Sequence, residues 1–319
     1  MTVATMDLEA ASAGADLDAA FRGLGFVQIV GHGLGDATAE RLWSAMDELF
    51  DLPLEVKRRH VVADPVANRG YRERGSEALA YSLGASSPSD LFESFNVGHD
   101  ARADGDRLRA RTPWPAEAPS FRDAADRYLD EMVRVAARLD ELIGDLLGLP
   151  DLAERSRSGP DTMACIRYRR GPDEDAAPAE QLRMGPHSDY TSFTVLRADP
   201  VPGLEILGPD GWLPVVPEPG ALLVNVGDLL AMWTDDAWPS TLHRVPLRGD
   251  GTDPPLRRSV AYFHYPDPGV VVSPLPGWRG EASGYEPVTV AEHLAAKLVG
   301  PKQHEPSGGA STRGNRTID

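Results

Sequence analysis

The chain has 319 residues, a formal net charge of −17 and a hydrophobic content of 41%, values that are ordinary for one or two soluble globular domains. The acidic balance argues against nucleic acid as a partner, because phosphate binding needs a basic surface. The single cysteine, Cys165, excludes an intramolecular disulfide and a thiolate-rich zinc site, and it fits a reducing compartment.

Apolar periodicity predicts mixed helices and short strands in the N-terminal part of the chain. We expect a helix over residues 16–22, a strand over Phe26–Val30 and a helix over Asp36–Phe50. Residues 60–115 are rich in Arg, Gly, Ser and Pro, so we expect them to be irregular. The longest helix is predicted over residues 120–147, where apolar residues recur at spacings of three and four and form a packing face.

The pattern changes to short β-branched stretches separated by Gly and Pro turns after residue 160, which is typical of a β-sandwich or barrel. We therefore predict an N-terminal mixed α/β region that packs on the core (1–118), a long supporting helix (119–150), a β core (160–275), a C-terminal helical segment (276–305) and a flexible tail (306–319).

The first residues lack the basic region and apolar core of a signal peptide, and no apolar run approaches the length of a membrane span. We therefore expect a cytoplasmic protein that has no membrane partner.

Two histidines and one aspartate are the most informative residues of the β-rich part. His187 and Asp189 are two positions apart, and on a strand such residues point to the same face, so both could reach one ion. The β-branched, apolar stretch 191–196 supports a strand there. His243 must then come from a different strand. Two imidazoles and one carboxylate form the facial ligand set that suits non-haem Fe(II) and leaves positions open for oxygen and a second small ligand.

Arg257 and Ser259 are also two positions apart on a predicted strand, so their side chains share a face. A guanidinium can hold a carboxylate in a bidentate fork, and a hydroxyl can add a further hydrogen bond. This pair suits the distal carboxylate of a dicarboxylic keto acid. Residues 249–255 are rich in Gly, Asp and Pro and predict a hairpin loop that lets the strands on either side pair.

In this order, His187-x-Asp189, His243 and Arg257-x-Ser259 resemble the 2-oxoglutarate and Fe(II)-dependent dioxygenases of the isopenicillin N synthase-like group. The similarity extends over most of the chain. It implies a mainly β protein with flanking α-helices, built on a distorted double-stranded β-helix (jelly roll). It also implies an oxidoreductase that uses Fe(II), 2-oxoglutarate and O2 and releases succinate and CO2.

The resemblance implies a role for each motif residue. The His187, Asp189 and His243 side chains would hold the metal, and Arg257 and Ser259 would bind 2-oxoglutarate. Tyr168 matches a tyrosine whose hydroxyl often touches the keto acid, whereas Ile166 stands where the plant members carry asparagine.

The resemblance further implies a small-molecule substrate in secondary metabolism that is hydroxylated, desaturated or cyclised by a monomer or weak homo-oligomer. Two arginines among the candidate pocket residues favour an anionic substrate. The candidates for substrate contact are Arg167, Arg169, Met184, Phe193, Met232, Trp233 and Tyr81.

Three alternatives stay open at this point. An isopenicillin N synthase-type oxidase would use no keto acid, because the Arg257-x-Ser259 pair could hold its substrate's carboxylate instead. A non-catalytic protein could keep the fold and bind a small molecule. A nucleic-acid demethylase is disfavoured by the acidity of the chain. His264 is expected to be a structural or surface histidine.

Overall fold

The helices of the protein are concentrated in the N-terminal half and at the C-terminal end. A computed structural model describes residues 2–83, 87–171, 174, 177, 180–248, 253–280 and 284–303. The predicted tail over 306–319 lies outside the described residues. Within them, the α-helices are α1 (Ala13–Gly23), α2 (Asp36–Phe50), α3 (Leu54–Lys57), α4 (Pro119–Leu147), α5 (Leu152–Arg155), α6 (Asp228–Trp233) and α7 (Val290–Gln303). Short 3-10 helices span Arg58–His60, Pro65–Ala67, Leu79–Leu83, Asp100–Arg102 and Arg107–Arg109.

The larger of two main sheets has eight strands and combines N-terminal and C-terminal parts of the chain. Its first two strands pair in parallel, and the other neighbours pair antiparallel. In spatial order the strands are β1 (Ala4–Asp7), β2 (Phe26–Val30), β10 (Leu222–Val226), β7 (Phe193–Ala198), β12 (Leu256–His264), β5 (Thr162–Arg169), β4 (Glu93–Val97) and β3 (Gly70–Arg72).

The smaller main sheet has four antiparallel strands in the order β6 (Leu182–His187), β11 (His243–Pro246), β8 (Leu204–Gly208) and β9 (Gly211–Val215). A two-stranded ribbon, β13 (Val271–Val272) and β14 (Val288–Thr289), precedes α7. The two main sheets enclose a cavity, and the largest apolar cluster packs the helices against the larger sheet.

The strongly periodic elements match their predictions closely. β2 and α2 have the predicted limits, and α4 begins one residue earlier than predicted. The prediction that residues 60–115 are irregular is wrong for β3 and β4, which complete one edge of the larger sheet. β4 reads Glu-Ser-Phe-Asn-Val, and its buried polar residues hide the apolar alternation that marks a strand.

Two predictions about local connections are also wrong. Asp189 does not share a strand with His187, because β6 ends at His187 and the next strand, β7, begins only at Phe193. The segment 249–255 does not join two paired strands either, since β11 and β12 belong to different sheets. Residues 249–252 of this segment lie outside the described residues.

A buried ion cluster fastens the long helix α4 to the back of β12. His264 at the end of β12 lies 2.8 Å from Asp140 of α4 through its Nε2, and 3.2 Å from Asp161 through its Nδ1. Asp161 also accepts a hydrogen bond from the Tyr262 hydroxyl at 2.7 Å and pairs with Arg102 at 2.8 Å. His264 therefore has the structural role that was one of its two predicted readings.

We expect this cluster to make stability depend on pH in the alkaline range. Burial by itself lowers the pKa of His264, but Asp140 and Asp161 outweigh it and raise the pKa from 6.5 to about 10. Because the folded-state pKa lies above the unfolded value, the stabilisation is fully present below about pH 6.5 and declines as the pH rises towards 10. Urea denaturation at a series of pH values measures this decline.

His264→Gln removes the imidazolium from two buried carboxylates, so it should lower the free energy of unfolding by roughly 3 kcal/mol near neutral pH. The variant should also lose the alkaline decline. His60→Gln is the matched control, since His60 lies outside the cluster and contacts the exposed Glu117. Equal pH profiles for wild type and His264→Gln would contradict the assignment.

Candidate active site

The cavity between the two sheets collects alternate residues of its strands. On β5, Ala164, Ile166 and Tyr168 line the cavity. On β12, Arg257 and Ser259 line it, and β5 and β12 pair so that Arg257 lies opposite Tyr168. Because successive side chains of a strand point to opposite faces, the residues between these positions face the other side of the sheet.

His187, Asp189 and His243 meet in this cavity. Each offers one ligand atom, and these atoms lie within 4.8 Å of one another. The Asp189 Oδ1 atom is 3.9 Å from His187 Nε2 and 3.7 Å from His243 Nε2. His187 and His243 lie directly opposite each other on the paired strands β6 and β11. Two strands of the smaller sheet thus supply both imidazoles, and the loop after β6 supplies the carboxylate.

Hydrogen bonds orient the three side chains. They use the other polar atom of each side chain, so that its ligand atom points into the cavity. The Nδ1 atom of His187 lies 2.8 Å from the Gly185 carbonyl, and that of His243 lies 3.2 Å from the Thr241 carbonyl. In each ring an N–H at Nδ1 leaves the Nε2 lone pair available for a metal. Asn225 donates to Asp189 Oδ2 at 2.7 Å, which leaves Oδ1 for the metal.

The loop that carries Asp189 is fixed by the start of α6. The N–H groups of Gly227 and Asp228 donate to the carbonyls of Ser192 and Asp189, at 2.7 and 2.8 Å. A Cβ at Gly227 would lie only 2.2 Å from the Thr191 carbonyl oxygen, so this approach requires glycine. The backbone, and not strand alternation, therefore aims Asp189 at the two histidines.

The electrostatics of the trio suit a divalent cation. Burial, reinforced by the neighbouring His243, lowers the pKa of His187 to about 4, so the ring is neutral and can ligate. Burial alone raises the pKa of Asp189, but the two histidines and the Asn225 amide bring it below its ordinary value. Two imidazoles and one carboxylate are the donor set of a non-haem Fe(II) site with open coordination positions.

A second part of the cavity presents the buried guanidinium of Arg257 beside Tyr168. Arg257 is 2% exposed, its guanidinium carbon lies 5.0 Å from the ring centre of Tyr168, and its Nε has no hydrogen-bond partner within the described part of the chain. Tyr168 is also buried, and its hydroxyl lies 3.5 Å from the Met184 sulfur. Arg257, Ser259, Tyr168 and Met184 therefore lie together on the wall of the cavity that contains the trio.

Arg167 and Arg169 do not reach the cavity, although they were predicted to contact the substrate. They flank Tyr168 on β5 and therefore point to the opposite face of the sheet. Arg167 pairs with Glu93 at 2.8 Å and with Asp51 at 2.6 Å, and Arg169 pairs with Asp51 at 3.0 Å. The arginines that favoured an anionic substrate are thus engaged elsewhere.

Four other predicted contacts also lie away from the cavity wall. Phe193 packs in the main core against His264, with ring centres 4.7 Å apart. Met232 and Trp233 of α6 are buried in the same core. Tyr81 belongs to the 3-10 helix Leu79–Leu83, in which Leu79 is the residue that lines the cavity among those whose side chains are described.

Sequence reasoning missed two sets of residues. Asn225 is a polar residue inside the apolar strand β10, and this contrast is a signal that could have drawn attention to it. The second set is a polar cluster on the cavity wall that carries no recognisable motif. Its members are Asn68, Arg72, Glu77, Ser94 and Asn96.

Comparison with known families gives two matches along the chain. Residues 160–266 match the 2OG-Fe(II) oxygenase superfamily, and residues 3–117 match the N-terminal region described as that of the non-haem dioxygenase in morphine synthesis. Together the two matched segments span more than half of the chain.

Individual proteins support the same family. The Validamycin A dioxygenase of Streptomyces hygroscopicus subsp. limoneus is 33% identical over 293 residues, covering 89% of this chain and 80% of the relative. Among solved structures, a full-length Neurospora crassa protein in complex with alpha-KG (2-oxoglutarate) and thymine has a TM-score of 0.79 and 25% identity, covering 93% of this chain and 96% of the other. JOX2 in complex with 2OG, Fe and JA has a TM-score of 0.76 and 26% identity, with coverages of 94% and 86%.

These findings confirm the predicted fold class, the enzyme class and the use of Fe(II) and 2-oxoglutarate. Similar proteins are seen with small molecules, thymine in one case and JA in another. None of the helices among the described residues has the length and apolar character required to cross a membrane. The chain therefore belongs to the 2OG-Fe(II) oxygenase superfamily, and it is an Fe(II)- and 2-oxoglutarate-dependent oxygenase that acts on small molecules.

Proposed function

We propose that the enzyme hydroxylates its substrate at a carbon held beside an Fe(II) ion bound by His187, Asp189 and His243, and that Arg257, Ser259 and Tyr168 hold 2-oxoglutarate. The convergence of the three ligand atoms within 4.8 Å supports the metal part of this proposal. Desaturation and cyclisation are variants of the same oxidation, and the substrate decides among them.

The proposed binding of 2-oxoglutarate rests on one observation, that Arg257 is buried without a counter-charge among the described residues. Its guanidinium is buried in the cavity, and among the described residues no carboxylate forms an ion pair with it. An unpaired buried cation is costly, and a bidentate contact with a ligand carboxylate removes that cost. Ser259, two residues along the same strand, adds a hydroxyl on the same face. Arg257 and Ser259 would bind the distal carboxylate, while the keto-acid end lies at the metal.

The reaction consumes one molecule each of substrate, O2 and 2-oxoglutarate and yields the hydroxylated product, succinate and CO2. Bound Fe(II) supplies the activation of oxygen. The protein's own residues orient the two organic molecules, and the buried walls keep bulk water from the reacting carbon. The oxidase that uses no keto acid is the weaker alternative, because similar solved structures contain 2-oxoglutarate.

Three further expectations stay predictions. The buried free thiol of Cys165 supports a cytoplasmic location. A monomer or weak homo-oligomer and a role in secondary metabolism are the other two.

Asp189→Asn should abolish stable iron binding and succinate formation, because the substitution keeps the size of the side chain but removes the only anionic ligand. Iron content after anaerobic loading and succinate release measure the two effects. Asp228→Asn is the matched control, since the Asp228 side chain contacts Ser240 and Lys297 and is not part of the trio. Iron loss in the control and retention in Asp189→Asn would show that the wrong carboxylate has been assigned.

Arg257→Ala should weaken 2-oxoglutarate binding by roughly 2–5 kcal/mol, because one partner of a buried charge pair is lost. Iron affinity should change little. Arg258→Ala is the control, because Arg258 points to the other face of β12 and pairs with Asp199 at 3.2 Å and Asp47 at 2.7 Å. Anaerobic titration with 2-oxoglutarate tests both variants, and an unchanged affinity in Arg257→Ala would show that Arg257 does not bind the keto acid.

Asn225→Leu should lower iron affinity by about 10–100-fold, because the Asp189 carboxylate loses the donor that fixes its orientation. Asn225 is a positioning residue, so the apparent affinity for 2-oxoglutarate in iron-saturated enzyme should stay close to that of wild type. Anaerobic Fe(II) titration gives the first value and succinate release at saturating iron the second. A normal iron affinity in a variant with a normal unfolding midpoint would refute this role.

A further inference from the structure

A second polar group of the cavity wall, separate from the metal trio and from Arg257, is built by β3, by β4, by the segment between them and by Asn68, which precedes β3. We call Asn68, Arg72, Glu77, Ser94 and Asn96 the amide–guanidinium cluster. All five side chains line the same cavity as His187, Asp189 and His243. Four of the five residues are less than one tenth exposed, and Arg72 is partly buried.

The cluster is held together by its own hydrogen bonds. The Oδ1 atom of Asn68 accepts from a terminal nitrogen of Arg72, and it accepts from Asn96 Nδ2 at 3.1 Å. Ser94 Oγ lies 3.4 Å from Asn96 Oδ1. Asn68 has a left-handed backbone with a φ of 50° where the 3-10 helix Pro65–Ala67 ends, and the two hydrogen bonds to its Oδ1 hold its amide. The polar atoms are therefore preorganised.

The cluster also retains unused hydrogen-bonding capacity. Arg72 Nε is buried and has no partner among the described residues. The contacts of the Asn68 side chain within the described part of the chain use its Oδ1, so its Nδ2 donors can serve a ligand. A buried donor without a hydrogen-bond partner is unfavourable in free energy, so these donors would gain from a hydrogen bond to a molecule inside the cavity.

The charge of Arg72 is already balanced. Its NH1 lies 2.9 Å from Glu77 Oε1 and 3.1 Å from Oε2. Arg257 in the same cavity forms no such pair with the described residues. A second carboxylate brought to Arg72 would meet Glu77 at close range, and like charges at that distance repel. Arg72 can therefore bind a neutral hydrogen-bonding group, whereas Arg257 can bind an anion.

The sum of the other charges in the cavity also favours a neutral substrate. The charges of Fe(II), Asp189, Arg257 and the two carboxylates of 2-oxoglutarate cancel one another. Arg72 and Glu77 cancel each other as well. The loaded cavity therefore has no excess positive charge to offset a further anion.

We propose that the amide–guanidinium cluster is the recognition site for the substrate, and that the substrate class is a neutral small molecule bearing hydroxyl or carboxamide groups. Asn68 and Arg72 donate to it, and Glu77 excludes carboxylates. This inference rests on the proposed function, since it assumes that the same cavity holds iron and 2-oxoglutarate. It replaces the expectation of an anionic substrate.

The test uses matched probes on the enzyme loaded with Fe(II) and 2-oxoglutarate. Cyclohexane-1,2-diol, cyclohexanecarboxamide and cyclohexanecarboxylate form one set, and hexane-1,2-diol, hexanamide and hexanoate form the other. Under anaerobic conditions, the perturbation of the visible charge-transfer absorption of the loaded site reports binding without turnover. Probe-stimulated succinate release in air is the second readout.

The diols or the amides should bind about tenfold or more tightly than the carboxylates, and the stronger of the two neutral groups identifies the functional group recognised. Glu77→Gln should reduce this preference at least about tenfold, which corresponds to about 1.4 kcal/mol. Glu73→Gln is the matched control, because Glu73 pairs with Arg58 outside the cavity and should leave the preference unchanged.

Two outcomes would overturn the inference: carboxylates that bind wild-type enzyme as tightly as the neutral probes, or no response to any neutral probe. An unchanged preference in a folded Glu77→Gln variant would remove Glu77 as its cause and overturn the exclusion of anions. A failure of the proposed function would give a different result. The wild-type enzyme would then release no succinate in the presence of iron, with or without a probe, and would show no charge-transfer absorption after loading with Fe(II) and 2-oxoglutarate.

Discussion

An ionised carboxylate buried between two sheets, that of Asp189, is the constraint on which the site depends. Such a charge is stable in a closed interior only when hydrogen bonds and opposite charge compensate the loss of water. The larger sheet contributes the amide of Asn225, and the smaller sheet contributes the two imidazoles. A metal ion completes the compensation. The distance between the sheets, the register of β6 with β11 and the close approach at Gly227 all serve to bring these groups together.

Along β12, successive side chains point to opposite faces of the sheet, so its polar residues form an inward group at the cavity and an outward group at the helices. On β12, Arg257 and Ser259 face the cavity, whereas Arg258 and His264 face the helices. The outward group forms closed ion pairs that fasten helices to the sheet. In the inward group Arg257 forms no ion pair with the described residues, and its guanidinium faces space that a ligand can occupy. One strand therefore supports the attachment of α4 on one face and carries the proposed 2-oxoglutarate contacts on the other.

The same alternation explains part of what could be predicted about the site from the sequence. His187, His243 and Arg257 were recognisable because their residue types, order and spacing are specific to one chemistry. Arg167 was misassigned although Tyr168 already defined the inward face of β5, so the alternation rule applied from Tyr168 would have excluded it. The amide–guanidinium cluster was out of reach for a different reason. Its members come from β3, from β4, from the segment between them and from the residue Asn68 before β3, and the pairing of β3 with β4 and of β4 with β5 brings them to the cavity.

Arg72 and Arg257 show why residue type alone does not determine specificity. Both guanidiniums line one cavity, yet one has a carboxylate at 2.9 Å and the other has none among the described residues. The counter-charge decides which ligand each can accept, because a second anion gains little from a cation that is already neutralised. A single acidic residue beside an arginine can therefore set the charge of the accepted substrate while the metal trio and the 2-oxoglutarate contacts stay the same. Members of one fold can in this way share a reaction and differ in what they oxidise.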